Sequence, residues 1–119
     1  MRVKTLQWNI GGGRVCTSGA DPLDPASYSK DGIDSIIELI RREDPDVITL
    51  QETHEGGDYC QPQIIAGTLG FNFWKSHSTD QSFIDTSMRI GQAVISRYPI
   101  ISSHFSPFKN LRFKVQKDG

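Results

Sequence analysis

No apolar run in this chain approaches the ~20 residues that a bilayer-spanning helix needs, which excludes a transmembrane helix. Apolar residues make up only 36% of the sequence, so there is material for one core in 119 residues and not for two. Charge of one sign is also lacking. Lys and Arg number 13 against 14 Asp and Glu, and the net charge of −1 gives no global field for a polyanion. Cysteine is scarce as well. Cys16 and Cys60 are too few for a disulfide framework or a zinc site. Both fall in polar, loop-like sequence, where a pairing between them stays open. The start, Met1-Arg2-Val3-Lys4-Thr5, carries no apolar stretch of the signal-peptide kind. The expectation is a cytoplasmic protein with two free thiols.

What is present is an ordered alternation of strand and helix patterns. Leu6, Trp8 and Ile10 alternate along the first segment and share one face, leaving Asn9 on the other. Gly11-Gly12-Gly13 ends that strand in a tight turn. It is not a P-loop, because no Gly-Lys-Ser/Thr follows. Residues 14–30 read as a long polar loop, in which Arg14 is either solvated or in reach of an anion. Ile33, Ile36, Ile37 and Ile40 make one apolar stripe, predicting a helix over 31–43 with Asp31 as its N-cap and Arg41 and Arg42 in its last turn. Pro45 stops it.

Val47, Ile48 and Leu50 then form a short β-prone run that ends at Glu52. A strand–helix–strand order of this kind makes the two strands parallel, and chemistry gathers at strand ends in such sheets. Glu52 is therefore either the first residue of a solvated loop or part of a site. Thr53 to Asp58 read as loop, 60–69 as a second helix closed by Gly70, and Phe71 to Ser76 as a strand. Residues 77–90 read as loop, 91–98 as a strand, and Ile100 to Phe105 as another after the Pro99 turn. A last strand is expected over Leu111 to Val115, with 116–119 as a hairpin turn. The closely spaced late strands point to antiparallel hairpins.

Three pieces in order, Gln7-Trp8-Asn9-Ile10, Asp44-Pro45-Asp46-Val47-Ile48-Thr49-Leu50-Gln51-Glu52 and Gly91 to Ile100 with its Ser96-Arg97-Tyr98-Pro99, resemble the N-terminal half of the endonuclease/exonuclease/phosphatase (deoxyribonuclease-I-like) family. The resemblance implies an α/β (α+β) fold: half of a four-layered α/β sandwich with a mixed sheet. Residues 1–119 would then be the N-terminal part of a single such domain, truncated. It also implies that Glu52 ligates Mg²⁺ (or Mn²⁺), and that Asn9 beside it helps to hold the metal or the scissile phosphate. Those residue types suit the task, since Mg²⁺ is a hard cation that takes carboxylate oxygen and an amide can donate to phosphate. The implied reaction is metal-assisted attack of water on a phosphate ester or phosphodiester, with nucleic acid among the candidate substrates. Where some members carry an Asp two residues after the Asn, this chain has Gly11.

The family's later Asp-x-Asn and Ser-Asp-His motifs do not occur. The three histidines match no catalytic position: His54 reads as a loop residue near Glu52, His77 as the start of a loop, and His104 as mid-strand. Without a base or a phosphate-polarising His, the chain by itself is expected to be inactive, lacking a contribution of typically ~10²–10⁴-fold. The alternative is a non-catalytic, degenerate binding or interaction module of the same fold. Loss of a facing sheet is expected to uncover a large apolar face, calling for the missing C-terminal half or self-association. Candidate substrate-gripping cations are only Arg14, Lys75, Arg89 and Arg97, and Phe73 and Trp74 read as core rather than as base-stacking residues.

Overall fold

A computed structural model describes residues 1–15, 19–21, 23–24, 26 and 30–106. Strand β1 (Thr5–Asn9) leads through a one-turn 3₁₀ segment (Gly11–Gly13) into two short strands, β2 (Arg14–Val15) and β3 (Lys30–Asp31). Helix α1 (Ile33–Glu43) follows, then β4 (Val47–Gly56), β5 (Tyr59–Cys60), α2 (Gln61–Leu69), β6 (Phe73–Gln81) and β7 (Arg89–Ser96). The main sheet runs β1-β4-β7-β6, with β5 paired to the far end of β4. β1 and β4 are parallel, while β4–β7 and β6–β7 are antiparallel. The result is a mixed five-stranded sheet with two helices, an α+β fold.

The core forms because the helices and the sheet each offer one apolar face. Ile36, Ile37 and Ile40 of α1 and Ile65 and Ala66 of α2 pack on Ile48, Leu50, Ala93 and Ile95 of the sheet. Leu6, Trp8 and Trp74 border this cluster, so Trp74 is core-packed as expected. Each buried aliphatic side chain contributes roughly 1.5–3 kcal/mol. Gly70 ends α2 in the left-handed conformation (φ 77°), which a glycine adopts without steric strain. α1 starts later than the stripe suggests. Gly32 is its N-cap, and Asp31 instead accepts the Ile33 N–H at 3.0 Å from just outside the helix.

The opposite face of the sheet is mostly polar, not the large apolar surface expected from a lost partner sheet. Val47, Val94 and Phe73 are set among its polar residues, so Phe73, unlike Trp74, is not on the core side. Register aligns Gln7 with Thr49, Asn9 with Gln51, Gln51 with Gln92, and Gln92 with His77. Period-2 alternation puts these side chains together, away from the helices. His77 lies in β6, not in a loop, and stacks on Phe105 with ring centroids 3.5 Å apart. Residues 97–106 contain no strand, so His104 is an exposed residue of an irregular segment instead of a mid-strand one. The strand expected over 111–115, the turn at 116–119 and Cys16 lie outside the described residues.

Two of the sequence pieces that carry the resemblance meet at the edge of the fold away from Glu52. Asp44 closes α1 with φ 48° and its N–H bonds the Ile40 carbonyl at 3.0 Å. Asp46 accepts the Lys4 N–H at 2.8 Å and lies 3.4 Å from Arg97 Nε. Arg97 also pairs with Asp44, donates its own N–H to the Asp46 carbonyl, and sits 4.6 Å above the Phe71 ring. The Asp-Pro-Asp and Ser-Arg-Tyr-Pro segments are therefore one structural lock.

Candidate active site

β4 does not stop at Glu52. Gln51 pairs with Gln92 and Thr53 with the adjacent Gly91, so Glu52 is the extra residue of a β-bulge and the strand runs on to Gly56. Its φ of 55° is rare for a residue with a side chain and stores roughly 1–2 kcal/mol of strain. A second bulge faces the first from the other side of β7. Ser78 pairs with Gly91 and Asp80 with Ile90, which leaves Thr79 extra, its hydroxyl donating to the Ile90 carbonyl at 3.2 Å. Gly91 is squeezed between the two. A β-carbon there would lie 2.1 Å from the His77 carbonyl oxygen and 2.7 Å from Ser78 Cα. Bulges re-aim side chains, and these two open a cleft of about 500 Å³ lined by Asn9, Gln51, Glu52, Asp80, Gln92 and Phe83 among others.

Asn9 reaches this cleft from the end of β1. Its Oδ1 accepts the Gly11 N–H at 3.1 Å, which assigns the amide orientation and leaves Nδ2 as the end that can donate. The structure thus brings Asn9 and Glu52 to one cleft. Sequence reasoning missed Gln51, Gln92, Thr79, Asp80 and Phe83. Only the Gln51–Gln92 register, which needs the strand pairing, would have found the first two.

Behind the cleft lies a buried polar cluster. Gln61, at the start of α2, accepts the His54 N–H through Oε1 at 2.7 Å and donates through Nε2 to the Gly12 carbonyl at 2.7 Å and to the Tyr59 hydroxyl at 3.1 Å. His54 is buried, not a loop residue, and its Nε2 is 2.7 Å from Ser82 Oγ. That oxygen already accepts the Ile84 and Asp85 N–H groups, so its proton goes to His54 Nε2 and the ring carries its hydrogen on Nδ1. Burial pushes the imidazole below its ordinary value of 6.5. The Asp85 carboxylate opposes this, Arg14 reinforces it, and Glu52 opposes it. His54 is therefore a neutral structural group. Arg14 is neither solvated nor waiting for an anion: it pairs with Asp85 at 3.4 Å, both side chains half-buried. Arg14 and Arg97 are thus engaged internally, which takes two of the four cations out of the set that could grip a substrate. Cys60, expected in a loop, lies in β5 with its thiol 3.7 Å from Glu55 Oε2.

The donors in the cleft are oxygens and amides. Among the described residues no group of three or more His, Cys, Asp or Glu side chains gathers, so a zinc-type site is not formed. One or two carboxylates with amide neighbours suit Mg²⁺, which keeps several waters and shares its shell with substrate phosphate.

The sequence pattern of the Endonuclease/Exonuclease/phosphatase family matches residues 6–117. The chain belongs to that family. The fold agrees. A crystal structure of an endonuclease/exonuclease/phosphatase from Beutenbergia cavernae DSM 12333 superposes with a TM-score of 0.61 at 23% identity, covering 85% of this chain and 27% of that one. An endonuclease/exonuclease/phosphatase family protein from Leptotrichia buccalis C-1013-b gives 0.54 at 18% identity, covering 85% and 40%. Comparison with curated proteins gives no match. The chain thus spans less than half the length of each of these two members. Among the described residues, no helix of this family member is long and apolar enough to cross a membrane.

Proposed function

We propose that the chain supplies the Asn9–Glu52 part of a divalent-metal-dependent phosphoesterase site, in a longer polypeptide that hydrolyses a phosphate ester or phosphodiester. The observation that carries this reading is the bulge that turns Glu52, in a strained conformation, into the same cleft as Asn9. Strain of this kind persists where surrounding structure imposes it, and it gathers at functional sites. Glu52, with Asp80 and Gln51 near it in the cleft, would hold Mg²⁺ or Mn²⁺. When bound, that ion supplies Lewis-acid stabilisation of a phosphoryl oxygen. Asn9, with Oδ1 committed to Gly11, presents Nδ2 as a donor to a phosphate oxygen. The Phe83 ring, 56% exposed at the cleft, gives the substrate an apolar contact.

Neither His54 nor His77 lines this cleft, so the described residues bring no imidazole to it. That observation favours a second reading for the chain taken alone, a non-catalytic module that keeps the fold and the cleft. The test is a Mg²⁺ titration of the chain followed by NMR, with Glu52→Gln alongside, and a panel of phosphate mono- and diesters assayed on the longer polypeptide. The proposal expects shifts centred on Glu52 and Asn9 that vanish in the variant, and hydrolysis only by the longer polypeptide. Undiminished Mg²⁺ binding by Glu52→Gln removes Glu52 from the site.

A further inference from the structure

Asn9 and Glu52 come from different strands, and each sits on a segment of unusual backbone. Asn9 is followed by Gly11, Gly12 and Gly13, with φ of 55°, 67° and 68°. Glu52 sits in a bulge at φ 55°. β1 and β4 pair through Asn9 and Gln51, and the Ile10 N–H still reaches the Gln51 carbonyl at 3.0 Å. Beyond that point the parallel ladder ends. Among the described residues, one side chain hydrogen-bonds to both segments there. Gln61 Oε1 takes the N–H of His54, two residues after Glu52, and Gln61 Nε2 gives a hydrogen to the carbonyl of Gly12, three residues after Asn9. Both bonds are 2.7 Å long, and Gln61 is 1% exposed. The cross-link is close-fitting on the glycine side as well. A β-carbon on Gly13 would lie 2.6 Å from Gln61 Nε2, and one on Gly12 would lie 2.2 Å from the His54 ring.

We infer that Gln61 is a positioning residue: it sets the separation of Asn9 and Glu52 by hydrogen-bonding the backbones that carry them. The chemistry favours an amide here. The His54 N–H needs an acceptor and the Gly12 carbonyl a donor, from one planar group. A buried N–H or carbonyl left without a partner is costly, so the two segments hold this spacing more tightly than bare turns would. Gln61 lies at the first position of α2, does not line the cleft, and needs no contact with a ligand bound there. The inference rests on the reading of Asn9 and Glu52 as one metal and phosphate site, and the test separates the two.

The experiment is a Mg²⁺ titration of the folded chain, read by NMR as affinity and as the shifts of Asn9 and Glu52, in wild type, Glu52→Gln, Gln61→Met and Gln61→Glu. Outer groups that orient ligands typically alter metal affinity ~10–100-fold. Gln61→Met keeps the side-chain volume and removes both bridging bonds together with the one to the Tyr59 hydroxyl. It is expected to keep native shift dispersion yet bind Mg²⁺ at least about tenfold more weakly. Gln61→Glu keeps the acceptor for His54 but not the donor for Gly12. It should move the resonances of Asn9 and of Gly11 to Gly13 more than those of Thr53 and His54, a signature that general destabilisation does not produce. Wild-type affinity in both variants, with Glu52→Gln blind to Mg²⁺, overturns the role of Gln61 and leaves the site intact. Binding that persists in Glu52→Gln overturns the site itself. Should both Gln61 variants unfold, hydrogen exchange of the His54 amide in the wild-type chain decides: added Mg²⁺ should slow it, and unchanged exchange overturns the inference.

Discussion

The α-carbon of Gly12 faces the imidazole of His54 so closely that a β-carbon built on it would lie 2.2 Å from the ring. The glycine turn after β1 is thus shaped by a side chain 42 residues further along, and its three glycines are not equivalent. A β-carbon on Gly11 would meet nothing within 4 Å, whereas one on Gly12 would meet the ring head-on. Gly12→Ala should combine a left-handed backbone penalty with overpacking, for a loss of about 2–5 kcal/mol. Gly11→Ala should lose only the first, about 1–2 kcal/mol. Urea unfolding of the two variants checks the ranking, and equal midpoints would show that the His54 contact is slack.

Because burial holds His54 below its ordinary 6.5, the unfolded chain binds a proton there more readily than the folded one. The resulting stabilisation is complete above pH 6.5 and is lost as pH falls from 6.5 through the lowered folded value. Asp85 adds a second, more acidic loss. The Ser87 hydroxyl and N–H bonded to its carboxylate hold it below 3.8, so its contribution is present above 3.8 and disappears further down. Denaturant midpoints measured at steps from pH 8 to pH 3 should show both declines. In His54→Gln the upper one should be absent.

Glu52→Gly separates stability from function. Glycine accepts φ 55° without strain, so the variant is expected to be at least as stable as wild type while losing the Mg²⁺ response. A thermal melt beside a Mg²⁺ titration tests this, and a clear drop in Tm counts against strain at the bulge.

Asn9→Asp keeps an oxygen for the Gly11 N–H and removes the Nδ2 donor. The turn should survive, as judged by unchanged amide shifts at Gly11 to Gly13. Mg²⁺ should bind somewhat more tightly because a carboxylate replaces an amide, while a phosphate added to the Mg²⁺-loaded chain should bind more weakly. Tighter phosphate binding would contradict the donor role of Asn9.

Arg97→Met should cost about 1–2 kcal/mol, since it removes partly exposed ion pairs with Asp44 and Asp46 and a cation–π contact with Phe71. The loss should shrink with added salt and leave Mg²⁺ binding untouched. Chemical denaturation by urea at low and high ionic strength provides the check.

The sequence by itself determined the parts whose physics is local. The isoleucine stripe specifies α1, the alternation of Leu6, Trp8 and Ile10 specifies β1 and sets Asn9 on the other face, and Gly70 closes α2. Val47, Ile48 and Leu50 announce a strand parallel to β1, and the order of the three short motifs was enough to place the family. The tertiary structure alone decided what hydrogen-bond partners far apart in the chain impose. β6 continues to Gln81 as an edge strand because β7 supplies its ladder, although its polar residues show no apolar alternation. His54 is buried because Ser82 and Gln61 satisfy its ring and its N–H, and nothing within a few residues of it signals either partner. Glu52 looked like the end of a strand because its apolar run stops there. It is the bulge within a strand because Gln51 and Thr53 take neighbouring partners on β7, and only the tertiary structure sets it among the residues that line the cleft.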